Sequence, residues 1–244
     1  MHISCKTLWL QKDGNAAEDY EDAAYPTAFV EEDADSFRCA IADGATESSF
    51  SGLWSNILVQ GLVYGSDLLH LRKEFVARLG TKQLPWYAEE KLQAGAFAAV
   101  VLLSLKTDDD GVQRWESEAI GDSCIMHVRE NQLMTSFPLD KPESFNNSPV
   151  LLSTTGESTE QSEALLHHSG EWQAGDSFWL MTDAIACWTL KRLRDYDDAF
   201  EMLDRIEDLD AFKEFVASQR AIIDEEGRST LKNDDVTVIR VLIS

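Results

Sequence analysis

The sequence predicts an α+β fold with antiparallel sheets. Strand-like segments come in hairpin-spaced groups rather than singly between helices, which argues against a parallel βαβ design. Helical periodicity is confined to a few separate blocks. The 244 residues are enough for a sizeable core, and no Pro/Gly/Ser tract or internal repeat divides them. Residues 1–244 therefore read as one domain, with its first and last strands meeting inside one core.

Ile3 to Leu10 reads as a strand, as do Ala24 to Val30 and Phe37 to Ala42, the last two joined by a turn-like Glu-Glu-Asp-Ala-Asp. Asp43-Gly44 precedes a helix whose Leu53, Trp54, Ile57, Leu58 and Leu62 recur at helical spacing, with Ser48 or Ser49 as N-cap. A second helical region runs from Asp67 to Leu92, interrupted near Pro85. Ala96 to Leu105 is a buried strand, and Thr-Asp-Asp-Asp-Gly after it is a turn. Trp115 to Ile120 and Cys124 to Val128 alternate as strands, followed by a tight hairpin at Glu130-Asn131. Leu139 to Gly170 is rich in turn formers and reads as a long loop with a short strand or helix at most. Phe178 to Thr182 is a strand leading into a helix over Ala184 to Leu193. Apolar residues from Tyr196 to Val216 recur three or four apart and predict an acidic amphipathic helix. Val236 to Ile243 closes the chain as a strand.

Twenty-one Lys and Arg against 44 Asp and Glu leave a net charge of −23. That charge disfavours nucleic acid and anionic membrane surfaces as partners, and it favours a basic or neutral target surface. Seven Trp and eleven Phe exclude a disordered polyanion. The longest apolar run is strand-sized, and the N-terminus lacks the pattern of a signal peptide. Cys5, Cys39, Cys124 and Cys187 are widely spaced among apolar neighbours, as reduced core thiols in a cytoplasmic protein would be. The acids are unevenly placed. Twelve lie between Asp195 and Glu226, mostly on the wet face of the predicted helix. Nine lie between Asp13 and Asp35 with no Lys or Arg among them and no helical period. Such crowding is unfavourable without a cation.

Five carboxylates stand at strand ends. Asp43 and Asp183 follow apolar strands, Asp234 precedes one, Asp122 sits in a Gly-Asp-Ser corner, and Asp22 ends the acidic loop. Taken singly, each suits a turn or cap. If the fold brings them within about 5 Å, they need a compensating cation, and oxygen-only ligands select hard ions such as Mg²⁺ or Mn²⁺. No His/Cys spacing suits zinc.

These residues resemble motifs of the protein phosphatase 2C-like family of metal-dependent serine/threonine protein phosphatases, in order along nearly the whole chain. The segments are YEDA (20–23), IADGATESS (41–49), AGAFAAVVLLSL (94–105), AIGDSCIMHV (119–128), GDSFWLMTDAI (175–185) and NDDVTVIRV (233–241). The pattern is that of a divergent, compact bacterial type. The family's phosphate-binding Arg has no counterpart, since Ala16 and Ala17 occupy its neighbourhood. Lys6 or Lys12 is the nearest substitute. No His stands beside Asp43-Gly44 to serve as a general acid.

The resemblance implies a four-layer α-β-β-α sandwich, with two antiparallel sheets face to face and helices outside. It also implies two Mg²⁺ or Mn²⁺ ions per chain. Asp22, Asp43 and the Gly44 carbonyl would hold one, with Asp43 bridging, and Asp183 and Asp234 would hold the other. Asp122 matches the position of a third, weaker metal, and Asp235 an outer partner. The implied activity is hydrolysis of phosphoserine and phosphothreonine by a hydroxide bound at the binuclear centre. The partners implied are a phosphoprotein substrate and a cognate serine/threonine kinase. A non-catalytic phosphatase-like binding or regulatory domain and a small-phosphoester hydrolase on the same scaffold are the competing readings.

Overall fold

Alternate residues of a strand point to opposite faces, so each buried strand here feeds two layers of core. The computed structural model describes residues 1–46, 48–80, 95–108, 110–146, 148–155, 165–224 and 226–244. The chain opens with β1 (His2–Leu10), β2 (Ala23–Tyr25), β3 (Val30–Asp33) and β4 (Ser36–Gly44). Two helices follow, α1 (Ser51–Val63) and α2 (Leu68–Gly80). Next come β5 (Phe97–Thr107), β6 (Gln113–Ile120), β7 (Cys124–Arg129) and β8 (Gln132–Phe137). After them lie β9 (Leu152–Ser153), β10 (Leu166–Glu171) and β11 (Ser177–Met181). The last elements are α3 (Asp183–Tyr196), α4 (Ala199–Asp204), α5 (Leu209–Ala221) and β12 (Val236–Ile243).

The strands form two antiparallel sheets. One has the order β3-β1-β12-β11-β7-β8, and the other β10-β6-β5-β4-β2 with β9 paired to β5. The first and last strands pair from Ile3 with Ile243 through Leu10 with Val236. Ile3, Cys5, Phe37, Cys39, Ile41, Leu103, Phe178 and Val241 fill the space between the sheets. On the outer face of the first sheet, Val236 and Val238 pack with Trp188, Phe200 and Phe212 of α3 to α5. On the outer face of the second, Ala40, Ala42 and Ala98 lie beneath Trp54, Ile57 and Leu58 of α1. The expected four-layer α-β-β-α sandwich is therefore the observed fold. Among the described residues, no helix is long and apolar enough to cross a membrane.

Several local expectations need correction. The strand expected over Ala24 to Val30 is two, β2 and β3, because Pro26 has no N–H to continue a ladder. Glu31 to Asp33 belong to β3, so the turn is only Ala34-Asp35. Helix α1 is preceded by Phe50 in the left-handed region (φ 67°), with no side-chain cap. Ser48 instead accepts the Phe97 amide and donates to the Ala45 carbonyl, tying the loop to β5. The acidic helix is two, α4 and α5. Asp208 caps α5 by accepting from the Ala211 amide at 2.8 Å, and Tyr196 ends α3. Within Leu139 to Gly170, β10 is a full six-residue strand on the sheet edge. The helical continuation through Pro85 lies outside the described residues. The Glu130-Asn131 turn is as expected, with φ of 52° and 62°. Cys5, Cys39 and Cys124 are buried thiols, and Cys187 is half-buried.

One buried carboxylate locks the sandwich at the end away from Asp43. Asp176 accepts Arg129 Nε and Nη2 at 2.7 and 2.8 Å, the Gln173 amide at 3.0 Å, and pairs with His127 Nε2 at 2.8 Å. His127 stacks on Phe178 between the sheets, so its role is structural. Burial alone would raise the Asp176 carboxyl, but the Arg129, Gln173 and His127 contacts hold it below the usual carboxylate range. A depressed carboxyl stabilises the fold above its unfolded pKa of about 4, and that stability is lost as pH falls through the folded value. Asp176→Asn should cost about 3 kcal/mol at neutral pH, because Arg129 and His127 lose a buried partner. The penalty should shrink below about pH 4. Urea unfolding followed by circular dichroism across pH 3–7 checks both, and a pH-independent penalty would contradict the assignment.

Candidate metal centre

The acidic loop between β1 and β2 is held over the sheet rim by one carboxylate. Asp235, just before β12, accepts the Lys12 and Glu21 amides at 2.8 Å each. This clamp fixes the backbone on both sides of Glu18 and Asp19 and presents Asp22 inward. Asp22 is 2% exposed. Its Oδ2 accepts from Thr237 Oγ1 at 2.7 Å, and Tyr20 Oη in turn bonds to Thr237. Its Oδ1 is buried with no hydrogen-bond partner among the described residues.

Glycine at 44 allows the loop to sit this close. A Cβ there would lie 2.7 Å from the Glu21 carbonyl oxygen and 2.9 Å from Ser51 Cβ. The Ser51 hydroxyl donates to the Glu21 carboxylate, joining α1 to the same loop. Asp43 is the penultimate residue of β4, and Asp183 opens α3 immediately after β11. Asp122 follows Gly121, whose φ of 97° and close approach to Ala99 make the corner between β6 and β7.

These carboxylates act on one another. Burial raises Asp43 well above the usual carboxylate range, and the charges of Asp22, Asp183, Asp122 and Asp234 raise it further. Asp22 is raised likewise, first by burial, with Asp235 and Asp183 adding to the effect. Asp122 is pushed up to about 6 by burial and by Asp183. Asp43 thus feels the charge of each of the other four sequence-predicted acids. Among the described residues, no three His, Cys, Asp or Glu side chains are grouped so as to hold an ion as they stand. Mutual repulsion opposes tighter grouping of bare carboxylates.

Two cations absent from the sequence-based site hold the Asp234 side. Lys232 Nζ lies 3.1 Å from Asp183 and 2.6 Å from Asp234. Arg220 of α5, nearly buried, donates to the Asp234 carbonyl at 2.5 Å and pairs with Asp13 at 3.0 Å. Lys232 was legible as the base nearest Asp234, whereas Arg220 arrives from a separate helix. Lys6 donates to the Glu207 carbonyl and is thereby tied to the segment before α5.

Two face-to-face antiparallel sheets clad by helices define a four-layer sandwich class. The family profile for protein phosphatase 2C matches residues 16–232, so the chain belongs to that family. Solved structures share the fold at low identity. PppA of Pseudomonas aeruginosa, a key regulatory component of T6SS, superposes with a TM-score of 0.59 at 16% identity, covering 100% of this chain and 99% of that one. The serine/threonine phosphatase PstP/Ppp of Mycobacterium tuberculosis gives 0.57 at 16% identity over 100% of both chains. RsbX in complex with magnesium gives 0.50 at 18% identity, covering 100% and 96%. No curated protein sequence matches significantly.

Gly44→Ala should push the Glu21 carbonyl and displace Asp22. The expected outcome is a loss of about 1–3 kcal/mol of stability together with at least tenfold weaker Mn²⁺ binding, read by chemical denaturation and titration calorimetry. Unchanged metal affinity would show that the loop position does not matter.

Proposed function

We propose that the chain hydrolyses phosphoserine and phosphothreonine in proteins, and that residues 1–244 form a single domain serving that reaction. Family membership supports metal-dependent phosphatase activity. The observation that carries the site assignment is Asp22 Oδ1, a buried oxygen with no hydrogen-bond partner among the described residues, in a carboxylate coupled by charge to Asp43, Asp183 and Asp235. Burying such an atom costs free energy unless a cation offsets it. The donor set is oxygen throughout and therefore suits Mg²⁺ or Mn²⁺.

In this reading Asp22, Asp43 and the Gly44 carbonyl hold one ion, and Asp183 and Asp234 hold a second. Asp122 serves a third, weaker site. When bound, such ions lower the pKa of water and neutralise phosphoryl oxygens. The protein's own part is positional. Asp235 and Gly44 fix the acidic loop, Arg220 fixes the Asp234 backbone, and the Tyr20–Thr237 hydroxyl pair orients Asp22. Among the described residues, Lys232 pairs with both Asp183 and Asp234, and it takes the place of the family's missing Arg as a contact for phosphoryl oxygen. The substrate is a phosphoprotein, and a serine/threonine kinase is the natural source of it.

Asp43→Asn removes one of the crowded charges. The variant should lose Mn²⁺ binding and Mn²⁺-dependent turnover of p-nitrophenyl phosphate. It should also melt a few degrees higher than the metal-free parent, because repulsion is relieved. Calorimetry, the assay and a thermal melt in EDTA test these together. Full metal occupancy with unchanged turnover would defeat the assignment. A parent protein that binds Mn²⁺ yet hydrolyses neither p-nitrophenyl phosphate nor a phosphopeptide would instead be a binding module.

A further inference from the structure

The metal centre opens sideways into a groove along α3. Two adjoining cavities, of about 480 and 520 Å³, share Trp188, Lys191, Arg228 and Thr230 as a common wall. The first reaches Asp183 and Lys232, so it is continuous with the carboxylate rim. The second is floored by apolar side chains left open to solvent. Tyr196, Ile222 and Ile223 are 67%, 49% and 58% exposed.

The ridge between the two cavities is cationic in a chain of charge −23. Arg228 shares its guanidinium with Asp224 and Glu226. Lys191 is half-buried and, among the described residues, makes no ion pair within 4 Å, although Asp195 feels its charge. A half-buried lysine with Asp195 as an acidic neighbour, one turn on, is placed to receive a second negative charge beside a site for a dianionic ester.

Helix geometry sets the spacing. Asp183, Cys187 and Lys191 stand four apart on one face, and Cys187 and Lys191 both line the first cavity. Eight residues of helix span about 12 Å, which an extended peptide covers in three to four residues. The apolar second cavity begins beyond that.

We infer that this groove binds the substrate segment flanking the phosphoresidue. It selects an acidic residue three to four positions away at Lys191, followed by an apolar residue in the second cavity. This deepens the phosphatase reading and rests on it. It also reverses, locally, the preference for basic targets that the net charge alone suggests.

The test compares p-nitrophenyl phosphate with phosphoserine peptides carrying Glu, Ala or Lys three to four positions from phosphoserine, on either side, with Mn²⁺. The Glu peptide should exceed the Lys peptide in kcat/KM by about tenfold on one side, through KM, at low salt. Lys191→Glu should invert that order while turnover of p-nitrophenyl phosphate stays unchanged. Ile223→Ser should lower kcat/KM only for peptides long enough to reach the second cavity. Equal use of Glu and Lys peptides by a protein active on p-nitrophenyl phosphate would overturn the groove and leave the phosphatase reading intact. No turnover of any substrate would overturn both.

Discussion

Like charges in a dry rim constrain everything else in this molecule. Asp22, Asp43 and Asp122 lie near the edge of the sandwich, where burial and the charges of neighbouring carboxylates favour their neutral forms. A fold that spread the acids apart would relieve this repulsion. Instead the structure holds them in place with rigid neighbours. Asp235 grips the acidic loop by two amides, Gly44 admits it, and Arg220 and Lys232 secure the opposite wall. The three hydrophobic layers supply the stability that such an arrangement draws down.

Much of this was legible in the sequence, for identifiable reasons. Strands buried on one or two faces, such as β5 and β12, announce themselves by apolar runs or alternation. Strand β10, Leu-His-His-Ser-Gly-Glu, does not, because it lies on a sheet edge with nearly every side chain exposed. The acidic stretch kept its helical period across a break that only the Asp208 cap reveals. The acids at 43, 122, 183 and 234 stood out in the sequence because each adjoins an apolar strand, whereas Asp22 adjoins only the three-residue β2.

What was not legible is what arrives from afar in sequence. Arg220 reaches Asp13 and Asp234 from α5, and nothing in its own helix marks it apart from other surface bases. The role of Asp235 depends on amides at 12 and 21, more than two hundred residues away. His127 reads as an isolated ring until Asp176 and Phe178 are placed beside it. Long-range partners of this kind follow from topology, not from local pattern.

The order of strands has a consequence for how the molecule comes into being. β12 is last in the chain yet lies inside its sheet, between β1 and β11. Until it enters, β1 has only the short β3 beside it, and β11 lacks one neighbour. Closing a loop from Leu10 to Val236 carries a large entropic cost before any contact rewards it. Asp234 and Asp235 arrive with that closure, so their share of the carboxylate crowding and the clamp on the acidic loop come only with β12. During synthesis on a ribosome, that part of the electrostatic penalty is thus deferred until the other strands of both sheets are available to oppose it.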